Sequence, residues 1–244
     1  MRIYVAGLIT SWADEIFADI FAIKTLGPAF HLACLEFEQA LSTDIERNRN
    51  FSITHPADDF RFKMHANWLK EGKWFDIIKN RTPLVFKQLE DCEKLEIKNG
   101  DFEISCKPPL EGNDALEKEL HIWMLTKFEI LVEKIEQKIK TKFDDFKNPI
   151  DDFNINDTLV TTCLEHGIVP STVYDEDKQK HHPNPTTVLN SGFFFYLGRM
   201  NKLLEKVKSN ESHIDKRINY EKRLNQWLGK AIDDWQILHK EKKL

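Results

Sequence analysis

Two carboxylates near the start of the chain have a spacing that suits shared chemistry. Glu15 and Asp19 are four residues apart within SWADEIFADIFAIKTLGPAF, residues 11–30. On a helix, residues four apart lie on one face in consecutive turns, so both side chains point the same way. Carboxylate oxygens are among the ligands that proteins offer to zinc. The pair therefore predicts a candidate metal site, and the competing interpretation is a solvent-exposed charged pair on an amphipathic helix.

Further residues follow this pair in a characteristic order. They are Gly27-Pro28, then Thr54-His55-Pro56, and then Arg61. The ordered set resembles the second half of the gluzincin metallopeptidases, zinc proteases whose third metal ligand is a glutamate in an E-x-x-x-D helix. The resemblance covers residues 11 to about 69, under a third of the chain. The WADEIFAD…GPAF and VLNSGFFFY stretches also suggest a bacterial branch of such proteins, which would extend the likeness through residue 200.

The resemblance implies a role for four residues. Glu15 matches the metal-binding glutamate of the family, and Asp19 matches the carboxylate that orients a histidine ligand from outside. His55 and Arg61 match the segment that closes over the site in those proteins. The implied metal residues are thus Glu15 and Asp19, and the implied closing residues are His55 and Arg61.

The catalytic half of such a site is missing from the sequence. A gluzincin needs His-Glu-x-x-His on the preceding helix, which supplies two metal ligands and the base that activates the metal-bound water. This sequence contains no HExxH, and only ten residues precede Ser11. Because catalytic zinc ordinarily takes three protein ligands, we expect no cofactor in this chain alone, and zinc only where the full site is assembled. The chain is then either a C-terminal piece or a degenerate relative kept for binding.

Three functions remain open. The first is the helical C-terminal part of a gluzincin-like protein, inactive as a peptidase by itself, that completes a substrate cleft or binds another protein. The second is a helical adaptor or oligomerisation protein with no metal site. The third is an active zinc peptidase to which an upstream segment or another chain supplies HExxH.

An aromatic block favours a protein or peptide partner, or a second copy of the chain. Phe193, Phe194, Phe195 and Tyr196 are consecutive and lie within a predicted helix. Four consecutive aromatic side chains cover more than one helix face, which requires a deeply buried helix or a partner surface. We interpret the block as core and as a candidate interface.

The elements that position these residues are mainly helical. Apolar residues at helical spacing predict helices over 11–43, about 58–69, 74–93, 114–146, 157–165, 185–208 and 213–241. Gly27-Pro28 is expected to kink or split the first of these. KLEIKNGDFEISC, residues 94–106, alternates around Asn99-Gly100 and predicts one small β-hairpin. The stretch 167–187 is a long loop.

The composition and charge of the chain limit the classes of function to be considered. Hydrophobic residues make up 41% and charged residues 31%, as in globular proteins. The net charge of −5 gives no electrostatic reason to expect nucleic acid as a partner. No apolar run approaches the roughly 18 residues of a membrane span. We therefore expect a cytoplasmic protein in which residues 1–93, resembling a gluzincin C-terminal half, pack with a helical region 94–244 as one unit.

Overall fold

Helices dominate the computed structural model, which describes residues 2–41, 50–51, 55–95, 103–104, 114–142, 149–200, 204–205 and 212–241. The helices are α1 (Arg2–Leu26), α2 (Pro28–Leu41), α3 (Asp58–Glu71), α4 (Phe75–Arg81), α5 (Pro83–Glu93), α6 (Asp114–Lys142), α7 (Pro149–Glu165), α8 (Pro185–Gly198) and α9 (His213–Glu241). The short strands are β1 (Asn50–Phe51), β2 (Glu103–Ile104), β3 (Val173–Tyr174) and β4 (Lys180–His181). The predicted mainly α class is confirmed.

The break between α1 and α2 confirms the split predicted at Gly27-Pro28. Gly27 has a φ of 62°, which glycine adopts without steric cost, and its amide donates to the carbonyl of Ile23 at 2.8 Å. Pro28 then opens α2, where its missing N–H leaves no helical bond unmade. The predicted start of the first helix at Ser11 is wrong, because α1 already begins at Arg2.

Two other helix boundaries differ in how well the sequence marks them. Pro83 begins α5, one residue after Thr82, and divides the predicted helix 74–93 into α4 and α5. The helix expected from Asp157 begins instead at Pro149, because Pro149 suits a first helical position and Asp151 and Asp152 place acids in the first turn. Pro149 therefore starts a helix eight residues earlier than the sequence pattern predicts.

The small β component lies partly elsewhere than the sequence suggests. β3 and β4 form an antiparallel pair, with Val173 opposite His181, inside the stretch expected to be a loop. β2, from the segment predicted as a hairpin, pairs in parallel with β1. Residues 96–102 and 105–106 of that hairpin lie outside the described residues.

Two apolar clusters hold the helices together. The larger one places Trp12 of α1 edge-on to Phe128 of α6, with ring centroids 5.6 Å apart, and includes Phe62 of α3. It draws on helices from both sides of residue 93. The smaller cluster joins α7, α8 and α9 through residues such as Leu164 and Phe195. Within the described residues, no helix combines the length and apolar character that crossing a bilayer requires.

Candidate functional site

Helix α1 carries the predicted carboxylate pair on the face that meets α3. Asp19 is 3% exposed, whereas the side chain of Glu15 keeps 29% of its surface accessible. Both lie beside the apolar stripe of Trp12, Ile16 and Ile20, which packs into the core. The two acids therefore point the same way, but one is enclosed and the other lies at the edge.

Arg61, in the first turn of α3, joins the two acids. Its Nε donates to Oδ2 of Asp19 at 2.7 Å and its Nη2 donates to Oδ1 at 2.9 Å. The same Nη2 lies 3.0 Å from Oε1 of Glu15. This forked contact uses the planar donor geometry that makes arginine suited to carboxylates. Arg61 thereby fixes the position of both acids relative to α3.

His55 approaches Glu15 from the segment before α3. Its Nδ1 lies 3.5 Å from Oε1 of Glu15, and its side chain is 58% exposed. Oε1 of Glu15 therefore lies between His55 and Arg61. The four residues singled out in the sequence, from positions 15 to 61, are thus brought together in space. Thr54 lies outside the described residues.

A buried histidine pair extends the site, and the sequence analysis did not identify it. Nε2 of His65, one helical turn after Arg61, lies 3.2 Å from Oδ2 of Asp19. Nδ1 of His65 lies 3.1 Å from Nδ1 of His31 on α2, and both rings are 1% exposed. The signal in the sequence was the four-residue spacing from Arg61 to His65, which puts both on one face of α3.

The contacts define a consistent arrangement of protons. Two facing Nδ1 atoms form a hydrogen bond only when one ring donates and the other accepts. If Nε2 of His65 carries a proton toward Asp19, its Nδ1 is free to accept from His31. With a neutral tautomer of each ring, His31 donates to His65, whose Nε2 faces Asp19 at 3.2 Å.

Burial and hydrogen bonding have opposite effects on the pKa values of Asp19 and Arg61. Burial tends to raise the pKa of Asp19, but His65 and Arg61 outweigh it, and the pKa lies below its ordinary value of 3.8. Burial tends to lower the pKa of Arg61, but its hydrogen bonds to Asp19 outweigh this effect and raise the pKa above its ordinary value. Asp19 is therefore an anion and Arg61 a cation at neutral pH.

The residues present do not by themselves fit a zinc ion. Among the described residues, no group of three or more histidine, cysteine, aspartate or glutamate side chains has the geometry of a metal site. Asp19 is enclosed by Arg61 and His65, whereas Glu15 is the accessible acid of the cluster. Two acids balanced by one guanidinium leave a single negative charge when the histidines are neutral. The cluster can thus contribute one carboxylate to a cation held in part by other groups.

The predicted aromatic interface divides into buried and accessible members. Phe194 and Phe195 are 4% and 1% exposed, and they pack against Phe153 and Tyr220 within the chain. Phe193 and Tyr196 instead line a surface cleft between α8 and α9. Only these latter two side chains are open to a partner.

Comparison with protein-family models, with curated proteins and with solved structures found no match for this chain.

Proposed function

We propose that this chain is the helical C-terminal part of a gluzincin-like protein and that it completes a metal-binding cleft. In this proposal Glu15 supplies the third protein ligand. A segment with HExxH, upstream or on another chain, supplies the two histidines and the base. The chain by itself is not competent as a peptidase.

The observation that carries the proposal is the convergence of residues far apart in the sequence. Arg61 contacts Asp19 and Glu15, which are 42 and 46 positions before it. His55 lies beside Glu15 as well. The two acids thus meet the two residues that the family likeness selects, which supports the proposal.

The arrangement also allows the two acids to have the separate roles that the proposal requires, with Glu15 as the metal ligand and Asp19 as the anchor of Arg61. Arg61 holds Oε1 of Glu15 at 3.0 Å, which restricts the carboxylate to one orientation while its side chain stays 29% exposed. Asp19 anchors Arg61 from the buried side. A ligand that is oriented before the metal arrives binds with a smaller loss of side-chain entropy.

The test combines sequence and metal content. The DNA immediately upstream and the neighbouring genes are read for HExxH, and the segment found is co-expressed with this chain. We expect the purified complex to hold stoichiometric zinc, Glu15→Ala to remove it, and Asp14→Ala, at an exposed acid of α1, to retain it. Stoichiometric zinc in the chain alone, removed by Glu15→Ala, would show that the site is already complete.

A helical adaptor is the second candidate function, and exposed apolar side chains on α9 favour it. Ile214 and Ile218 are 70% and 57% exposed and lie one turn apart on one face. If sedimentation shows an oligomer that Ile218→Asp disperses, while Glu15→Ala and His55→Ala leave both metal content and assembly unchanged, the adaptor function replaces the metal-site proposal.

A further inference from the structure

A surface cleft formed by α2, α8 and α9 contains none of the residues of the acid and histidine cluster. It has a volume of about 130 Å³. Pockets for drug-sized ligands measure about 300–1,000 Å³, whereas a cavity of about 150 Å³ holds a single benzene. The cleft therefore has room for one side chain or one small ring.

The walls of the cleft combine apolar side chains with two carboxylates. Phe193, Leu224 and Leu228 are its apolar lining residues, and Glu36 of α2 contributes one of the carboxylates. Among the residues that the structure describes, no ion pair engages Glu36. Its pKa is raised by partial burial and by the nearby charge of Glu221, which together outweigh the opposing effect of Arg217, so the two carboxylates share one environment.

The second carboxylate of the cleft, Glu221, is paired with Arg217. Nε of Arg217 donates to Oε1 of Glu221 at 2.9 Å, and Nη2 of Arg217 donates to the hydroxyl of Tyr196 at 2.8 Å. The Tyr196 hydroxyl in turn donates to Oε1 of Glu221 at 2.8 Å. This closed triangle fixes one wall. Because Arg217 is shared between Glu221 and the nearby Glu36, one guanidinium balances two carboxylates.

The shape of the cleft depends on a glycine. A Cβ added to Gly192 would lie 2.6 Å from Cδ1 of Leu228, closer than any van der Waals contact. The absence of a side chain lets α9 approach α8, and Leu228 then lines the cleft against Gly192. The cleft is thus part of the helix packing and does not depend on a loop.

We propose that this cleft binds the basic side chain of a peptide or protein partner. Glu36 pairs with the guanidinium or ammonium group, and Phe193, Leu224 and Leu228 pack against the aliphatic stem. Charge complementarity favours a cation, because the described charged groups of the cleft, Glu36, Glu221 and Arg217, carry one net negative charge. The volume favours a single side chain. Basic side chains combine an apolar stem with a charged end, which matches a cleft lined by both apolar side chains and carboxylates.

The experiment uses blocked arginine, N-acetyl-arginine-N-methylamide, as the probe and its citrulline counterpart as the neutral isostere. Binding to the full chain is followed by the backbone amide shifts of Gly192, Tyr196 and Asn225. We expect saturable shifts with arginine and affinity lower by about tenfold for citrulline and for Glu36→Gln, since a charge-assisted contact is lost.

Two further variants separate the cleft from the rest of the surface. Glu119→Gln, at an exposed acid of α6, is expected to bind arginine like the unmodified chain. Asn225→Phe, which fills the cleft from an exposed position of α9, is expected to abolish binding. Amide spectra that superimpose on those of the unmodified chain outside the cleft show that each variant is folded.

Three results would overturn the proposal. They are equal affinity for citrulline, unchanged arginine affinity in Glu36→Gln, and no saturable shift at high-millimolar arginine. Because no residue of the Glu15 cluster takes part, failure here leaves the metal-site proposal untouched, and the reverse also holds.

Discussion

Arg61 and Asp19 form a two-bonded ion pair that connects α3 to α1, with N–O distances of 2.7 and 2.9 Å. Their side chains are only 14% and 4% exposed, so water contributes little to either charge. The pair joins two helices through residues that are 42 positions apart in the sequence.

Replacing Asp19 by asparagine is expected to destabilise the chain strongly. The change leaves the guanidinium of Arg61 buried without its main partner, and breaking a buried pair from one side costs about 3–5 kcal/mol. Asp14→Asn, at an exposed acid of the same helix, is expected to stay within about 0.5 kcal/mol of the unmodified chain. Urea unfolding measures both, and equal effects would show that the pair is energetically neutral.

The contribution of Asp19 to the free energy of unfolding should decrease as the pH is lowered. Its pKa is lower in the folded chain than the ordinary value of 3.8, so the folded state favours the anion. The stabilisation is then complete above the unfolded pKa and is lost as pH falls through the folded one. We expect the difference in unfolding free energy between the unmodified chain and Asp19→Asn to be constant above about pH 5 and to shrink below pH 3.8. A constant difference down to about pH 2 would contradict this assignment.

The contact between the imidazole rings of His31 and His65 predicts a specific tautomer for each ring. Because Nδ1 of His31 faces Nδ1 of His65 at 3.1 Å, only one of them carries a proton. We expect nitrogen-15 spectra of the imidazoles to show a protonated Nδ1 on His31, and on His65 a protonated Nε2 with a bare Nδ1. The opposite assignment would mean that His65 does not donate toward Asp19.

Gly27 and Gly7 provide a matched pair for testing the break between α1 and α2. Gly27 has a φ of 62°, and a Cβ there would lie 2.9 Å from the ring of Trp74. Gly27→Ala is expected to destabilise by at least about 1–2 kcal/mol, the cost of a left-handed conformation. Gly7 lies inside α1 with nothing within 4 Å of a Cβ, so Gly7→Ala should stabilise by about 0.5–1 kcal/mol. Thermal unfolding measures both, and a destabilising Gly7→Ala would contradict the helical assignment there.

The sequence predicted the helices and the cluster to different extents, for physical reasons. Helical spacing of apolar residues located α1, α3 and α6, because each buries one continuous stripe. The strand pairs could not be predicted from the sequence, because two-residue strands carry no periodic signal and β1 and β2 pair across more than fifty positions. For the site, the family likeness selected Glu15, Asp19, His55 and Arg61, whereas pairing of His65 with His31 depends on how α2 and α3 pack. No local pattern encodes that packing.

Glu15 should behave differently from Asp19, although both contact Arg61. Its side chain is 29% exposed, and partly exposed ion pairs contribute at most about 1 kcal/mol. Glu15→Ala is therefore expected to change the free energy of unfolding by less than about 1 kcal/mol, because Asp19 still holds Arg61. Urea unfolding of Glu15→Ala beside Asp19→Asn makes the comparison. A small change in the free energy of unfolding means that holding Glu15 in place contributes little to stability. That result is expected of an acid whose role is functional. A loss as large as that of Asp19→Asn would make Glu15 a structural acid and remove the main support for its role as a ligand.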